Sequence, residues 1–329
     1  MTRNAFRILK DLNMHKQFII MLILRMPFDF LNALISANMI ERFVRLMEIK
    51  DEDSLLPTFL LFLLLTVLLF AYNMTIWSTL AIRINILFQK KLRKKVLGSL
   101  LSRTQGEMEE YAVGDWITRL NNDIDKVNDY LDAPINFMHM MIAATNLLLS
   151  SIMLILLNFS LFCIAILIMV PFFFLSSVII IRKVPFFRRN AQESFAKYNN
   201  WVAPIIAGKD AIRIFDGKKT VEEKTEKISL DILHQNMQAH KRIAWTYFFN
   251  TFSGVLGYIL LLLTGGSMIG NGVENFAELT KITQYRGEMM KSTMCINNCI
   301  GNMRSNYPSV ERIQEVTNPQ GVSQSISVE

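Results

Sequence analysis

The chain has 329 residues, 51% of them hydrophobic and 19% charged, with a formal net charge of +7. A soluble protein of this length is usually less apolar. The basic residues fall in blocks beside apolar runs, which is the mark of membrane topology and not of a nucleic-acid surface.

The first stretch, MTRNAFRILKDLNMHKQF, is basic and amphipathic. No small-residue cleavage site follows its apolar run, so it does not read as a signal peptide. A first span is expected within Gln17–Met47, where Arg25 and Asp29 stand one helical turn apart and can pair. Glu48–Ser54 is acidic, with Lys50 its only basic residue, and reads as an external link. Leu55–Tyr72 is apolar for the length of a span, as are Phe137–Leu157, Phe159–Ile181 and Ile243–Ile269.

The helical rhythm continues beyond these runs. Phe88, Leu92, Val96 and Leu100 recur every four residues among Lys90, Lys91, Arg93, Lys94 and Lys95. A helix over 55–104 would be about 75 Å long, while the hydrocarbon core takes only about 30 Å of it. After a short tip, QGEMEEYAV, the chain returns through GDWITRLNNDIDKV. There Ile117, Leu120, Ile124, Val127 and Leu131 form a heptad-like stripe. Asp115 is placed to cap this helix, and Arg119 and Asp123 to pair on its wet face. The helix is then expected to bend past Pro134 into the third span. A second projection follows the same plan. It leaves the membrane through RKVPFFRRNAQESFAKYNNW, turns at KDAIRIFD between Gly208 and Gly217, and returns from near Lys218.

Charge sets the expected topology. Nine Lys or Arg lie in Ile82–Asn136 and thirteen in Arg182–Arg242, whereas Asn158–Ser160 and Gly270–Thr280 hold none. The basic segments and both termini are therefore expected in the cytoplasm. Parity then requires a sixth span near Asn275–Met303, despite Glu278, Lys281, Arg286, Glu288 and Lys291 within it. Charges at that depth are seldom turned to lipid, so this helix is expected to line water. One of its faces carries Lys281, Tyr285, Glu288, Ser292, Cys295, Cys299, Met303 and Asn306. With Arg25 and Asp29, these are candidate cavity residues; interhelical pairing that only fixes the packing is the competing reading. Mixed charge and the nearby Met289, Met290 and Met294 suit an amphipathic cargo such as a peptide, lipid or drug.

Cys163 lies in an apolar run as a small hydrophobe. Cys295 and Cys299 lack the further ligands a metal site needs and suit a disulfide poorly. The four histidines show no zinc spacing, and no catalytic set is suggested; His234 and His240 are expected to be solvated. Each tip carries apolar groups far from lipid, which need a partner.

The segments RINILFQKKLRKKVLGSLL, the first tip and GDWITRLNNDIDKVNDYL, in that order, resemble the second span, first intracellular loop and third span of the transmembrane domain of ATP-binding-cassette (ABC) exporters. AGKDAIRIFDGKKTVEEK is similar to the second loop, and SVERIQEV to the end of the sixth helix. The likeness covers essentially residues 1–320. It implies an all-α membrane protein with six long helices reaching into the cytoplasm: an N-terminal elbow over 1–16, the transmembrane domain over 17–316, and over 317–329 a linker with the start of a nucleotide-binding domain. It also implies a homodimer or heterodimer whose tips act as coupling helices seated on nucleotide-binding domains. The coupling residues would be Glu107, Met108, Glu109, Glu110 and Tyr111 in the first tip, and Lys209, Asp210, Ile212, Arg213, Ile214 and Phe215 in the second.

Two departures stand out. Pro204 occupies the position where the family often has a Glu four residues before the second-loop Gly, and no GxxxxGK[ST] occurs anywhere. The resemblance therefore implies the permease part of a half-transporter. No cofactor is expected in this chain; ATP and Mg would be bound, and ATP hydrolysed, only by a nucleotide-binding domain joined to it or supplied in trans. The final SISVE looks like the first strand of such a domain. The other readings open at this point are an ion-gradient secondary transporter, which would show broken mid-membrane helices, and a truncated, non-transporting regulatory subunit.

Overall fold

In a computed structural model, residues 2–103, 116, 119–131, 136–272 and 275–317 are described, with backbone alone for 2–5, 119, 181, 189, 192, 196 and 211. Among the described residues every regular element is a helix. α1 spans Thr2–Asp11 and α2 His15–Ile49; Asn13 joins them at a φ of 53°, a left-handed geometry that asparagine tolerates. α3 runs Leu55–Leu101 with a π-helical turn at Ile76–Ala81. α4 covers 119–131, and α5 spans Phe137–Leu157. α6 covers 159–207 and includes a π-helical turn at Ile179–Lys183. α7 is the short Lys209–Ile214 helix, α8 spans Lys218–Gly270 and α9 Phe276–Thr317.

Five of these, α2, α3, α5, α6 and α8, contain stretches long and apolar enough to cross a bilayer. α3 has 47 residues and α8 has 53, hence about 70 and 80 Å of helix at 1.5 Å per residue. Each is more than twice the roughly 30 Å thickness of the hydrocarbon core. The long helix expected over 55–104, with no proline from Thr58 onward, is thus realised in α3 as one helix that widens locally at its π turn and does not break.

The chain falls into two compact units, Met1–Met169 with Gly254–Glu329, and Val170–Ser253. In the larger unit the apolar stripes of the first projection close on one another. Phe88, Leu92, Val96 and Leu100 of α3 are buried with Ile124, Val127, Tyr130 and Leu131 of α4 and with Val310, Ile313 and Val316 of α9. α1 adds Ile8 and Leu9 to this cluster, and Lys95 binds Asp11 at 3.3 Å. Leu120 packs against the cluster, while Ile117, Asp115 and Pro134 lie outside the described residues.

One expectation is corrected. Asp123 is not on a wet face: it is fully buried, and Arg312 of α9 donates to both its oxygens at 2.6 and 2.8 Å. A period count places a carboxylate on a helix face, but it cannot see a third helix arriving to cover that face.

The smaller unit is an antiparallel helix pair. Ser194 of α6 and Asp231 of α8 share a short hydrogen bond at 2.5 Å, and Trp201 donates its indole N–H to Thr225 at 3.0 Å. Lys224 stands over the Trp201 ring at 3.9 Å, and Phe172 meets Phe252 edge-on.

Candidate functional site

Within the larger unit, α9 packs most extensively on α5 and α2, and a polar seam runs between them. Asn146, the single amide inside the apolar run of α5, is buried and donates to Ser292 at 2.9 Å and to Glu288 Oε2 at 3.3 Å. Ser150, one turn on, donates to the Asn146 side-chain Oδ1 at 3.4 Å, and Lys291 reaches Glu288 at 3.5 Å. Every polar group in hydrocarbon needs such a partner, because no water is there to supply one. Asp29 lies within electrostatic reach of Lys291, Glu288 and Arg25. Arg25 is buried, its guanidinium 4.6 Å from the Trp77 ring and 3.4 Å from His139 Nε2. Trp77 belongs to the π turn of α3, and such turns re-aim side chains without ending the helix.

Further along α9, Lys281 binds Glu41 of α2 at 2.8 Å, and Gln284 donates to Ser36 at 3.1 Å. Tyr285 and Cys299 are fully buried; Tyr285 belongs to an apolar cluster with Ala37, Leu154, Leu161, Leu261, Leu279, Ile282 and Met289. The Cys295 and Cys299 sulfurs are 4.0 Å apart, and Asn306 is half-buried. The predicted face of α9 is thus a graded one. Glu288 and Ser292 meet a polar partner on α5, Lys281 meets one on α2, and Tyr285 and Cys299 are packed away within the chain.

On the opposite side, Arg286 donates to the Gly254 carbonyl of α8 at 2.6 Å. A Cβ at Gly257 would stand 2.6 Å from the same guanidinium nitrogen, so a larger residue there would push the Arg286 tip aside.

The second tip lies in the smaller unit. α6 ends as the Gly208 N–H binds the Pro204 carbonyl at 2.8 Å; α7 follows, closed by the Gly217 N–H on the Ile212 carbonyl at 2.9 Å, with Asp216 left-handed at φ 49°. Ile214 and Phe215 are 77% and 82% exposed. Lys209, Asp210 and Arg213 are exposed beside them and Ile212 is half-buried. The first-tip residues Glu107, Met108, Glu109, Glu110 and Tyr111 lie outside the described residues.

Residues 18–292 match the family model of the ABC transporter transmembrane region. The chain belongs to that family. No curated protein matches the chain. As an ABC transporter transmembrane region, the chain is a multi-pass membrane protein of a kind that dimerises and works with nucleotide-binding domains. Two features of the ABC region escaped sequence reasoning. Asn146 and Ser150 could have been found as the amide and the hydroxyl spaced one turn apart in an apolar span. The Gly254–Gly257 notch left only a faint signal, a small residue every third position in SGVLG.

Proposed function

We propose that the chain is the permease portion of an ATP-driven ABC exporter, with α9 as a sixth span and both termini in the cytoplasm. The observation that carries this reading is Phe215. A phenylalanine 82% exposed, at the turn of a helix pair far longer than a bilayer requires, is stabilised only when a partner covers it. That partner is a nucleotide-binding domain. Lys209, Asp210, Ile212, Arg213 and Ile214 complete its contact, and Glu107, Met108, Glu109, Glu110 and Tyr111 form the second contact from the first tip. ATP and Mg are bound by that domain, in the same chain or in trans, and its closure turns the cavity outward through the rigid stems.

The charges of α9 favour a span as well. Lys281, Arg286 and Glu288 each meet a partner on another helix, which offsets the cost of placing them at bilayer depth. Arg25, Asp29, Lys281, Tyr285, Glu288, Ser292, Cys295, Cys299 and Asn306 line or brace the translocation path. The subunit pairs with a second one, as homodimer or heterodimer, and the cargo is amphipathic: a peptide, lipid or drug.

A cysteine introduced at Phe215 should crosslink to a cysteine-bearing nucleotide-binding domain in the intact complex, and the yield should change when ATP is trapped. An intact complex with no crosslink from any position between Lys209 and Phe215 would remove the coupling role.

A further inference from the structure

Between α2 and α3, at the end of the larger unit that carries the link from Lys50 to Ser54, lies an open cavity of about 470 Å³. This is within the range of small-ligand sites. Asn38, Glu41, Arg42 and Arg45 of α2 form its polar wall, and Thr58, Leu61 and Phe62 of α3 the other.

The polar wall is electropositive. Glu41 is already held by Lys281 at 2.8 Å and by Arg45 at 2.9 Å, and Arg45 also approaches Glu278 at 4.0 Å. Arg42, by contrast, makes no ion pair or hydrogen bond among the described residues. Three cations (Arg42, Arg45, Lys281) therefore face two carboxylates (Glu41, Glu278), leaving one positive charge over.

The cavity also sits at a defined depth. The apolar run of α3 begins at Leu55, so Thr58 to Phe62 lie about 5–10 Å inside it along the axis. Leu60, Leu61 and Leu64 are 53%, 54% and 55% exposed on that helix. A cation here belongs to the headgroup layer, to which long side chains reach from apolar helix faces.

We propose that this cavity holds the phosphate of an anionic phospholipid, gripped by Arg42 and Arg45, with its acyl chains along Leu61 and Phe62. Guanidinium matches phosphate with paired N–H donors. Free phosphate shares that chemistry but has no use for the apolar wall. The inference is independent of which way the chain faces the membrane.

The test is native mass spectrometry of the full chain released from nanodiscs of phosphatidylglycerol mixed with phosphatidylcholine. Wild type should retain one phosphatidylglycerol per chain in preference to phosphatidylcholine, and millimolar inorganic phosphate should leave it in place. Arg42→Gln should lower retention at least about fivefold, the scale of one basic residue against anionic lipid, and Arg42→Lys, which keeps the charge but not the paired donors, should restore part of it. Leu61→Trp fills the cavity from the membrane side without touching a charge and should expel the lipid too. Equal retention by Arg42→Gln, equal retention of the two lipids, or displacement by inorganic phosphate would overturn the proposal. Neither transport nor ATP enters these readouts, so their failure would leave the exporter reading standing, and a failed Phe215 crosslink would leave the lipid site standing.

Discussion

The two units of this chain bury opposite kinds of residue. The larger unit holds both apolar clusters, including Phe88, Met21, Tyr130, Leu154 and Leu261 with at most traces of exposure. Among the described residues of the smaller unit the buried positions are mostly short or polar, such as Ala191, Ala239, Ser194 and Thr246, while Phe186, Phe195, Leu230 and Leu233 stand more than half exposed. One unit is stabilised by its own core. The other carries apolar surface beyond the membrane-spanning windows that a single chain leaves uncovered.

That contrast can be broken by substitution. Phe88→Ala, in the dry core of the first projection, should destabilise the chain by about 3–5 kcal/mol, read as a lowered melting temperature in nanodiscs. Phe195→Ala should cost the isolated subunit under about 0.5 kcal/mol, as an exposed change does. A much larger cost in the assembled dimer would locate the missing cover. Arg312→Ala should follow, at about 3 kcal/mol, because it strands the buried Asp123 carboxylate without its partner; Arg312→Lys should recover part of that in the same melts.

Next comes an alkaline effect. Burial, and then the neighbouring Tyr307 phenol, push the Tyr130 hydroxyl from 10.0 up to about 12. Between those values the unfolded chain has lost a proton that the folded chain keeps, so stability falls as pH rises through this window, by about 3 kcal/mol at most. Tyr130→Phe should remove that fall and leave stability at neutral pH nearly unchanged. The smallest effect expected in the larger unit is that of Asn146→Leu, about 1–2 kcal/mol, since interhelical hydrogen bonds in bilayers are individually weak. Its sharper signature is functional, a change in cargo-stimulated ATPase that Ser150→Ala reproduces in part.

The stems were legible because their information is local. A stripe at Phe88, Leu92, Val96 and Leu100 fixes a face, and the absence of proline lets the helix continue. The spans of α2, α3, α5, α6 and α8 were legible for the same reason, through uninterrupted apolar length. What could not be read was tertiary. Asp123 looked wet until α9 supplied Arg312, and spacing along α2 set Arg25 near Asp29 but could not show Trp77 and His139 beside it from two other helices. The α9 face was only partly legible, because helical spacing groups Tyr285 with Glu288 although one packs in an apolar cluster and the other meets Asn146. Carboxylate and amide spacing along one helix says nothing of which neighbour waits across the seam.

The junction of α5 and α6 is a single extended residue, Asn158, whose side chain accepts from the Leu161 N–H at 3.0 Å while its own N–H binds Leu154 at 2.9 Å. A hairpin closed by one tied residue has no slack. Its two arms are tied at that end, so the last turn of α5 and the first turn of α6 must shift as one piece.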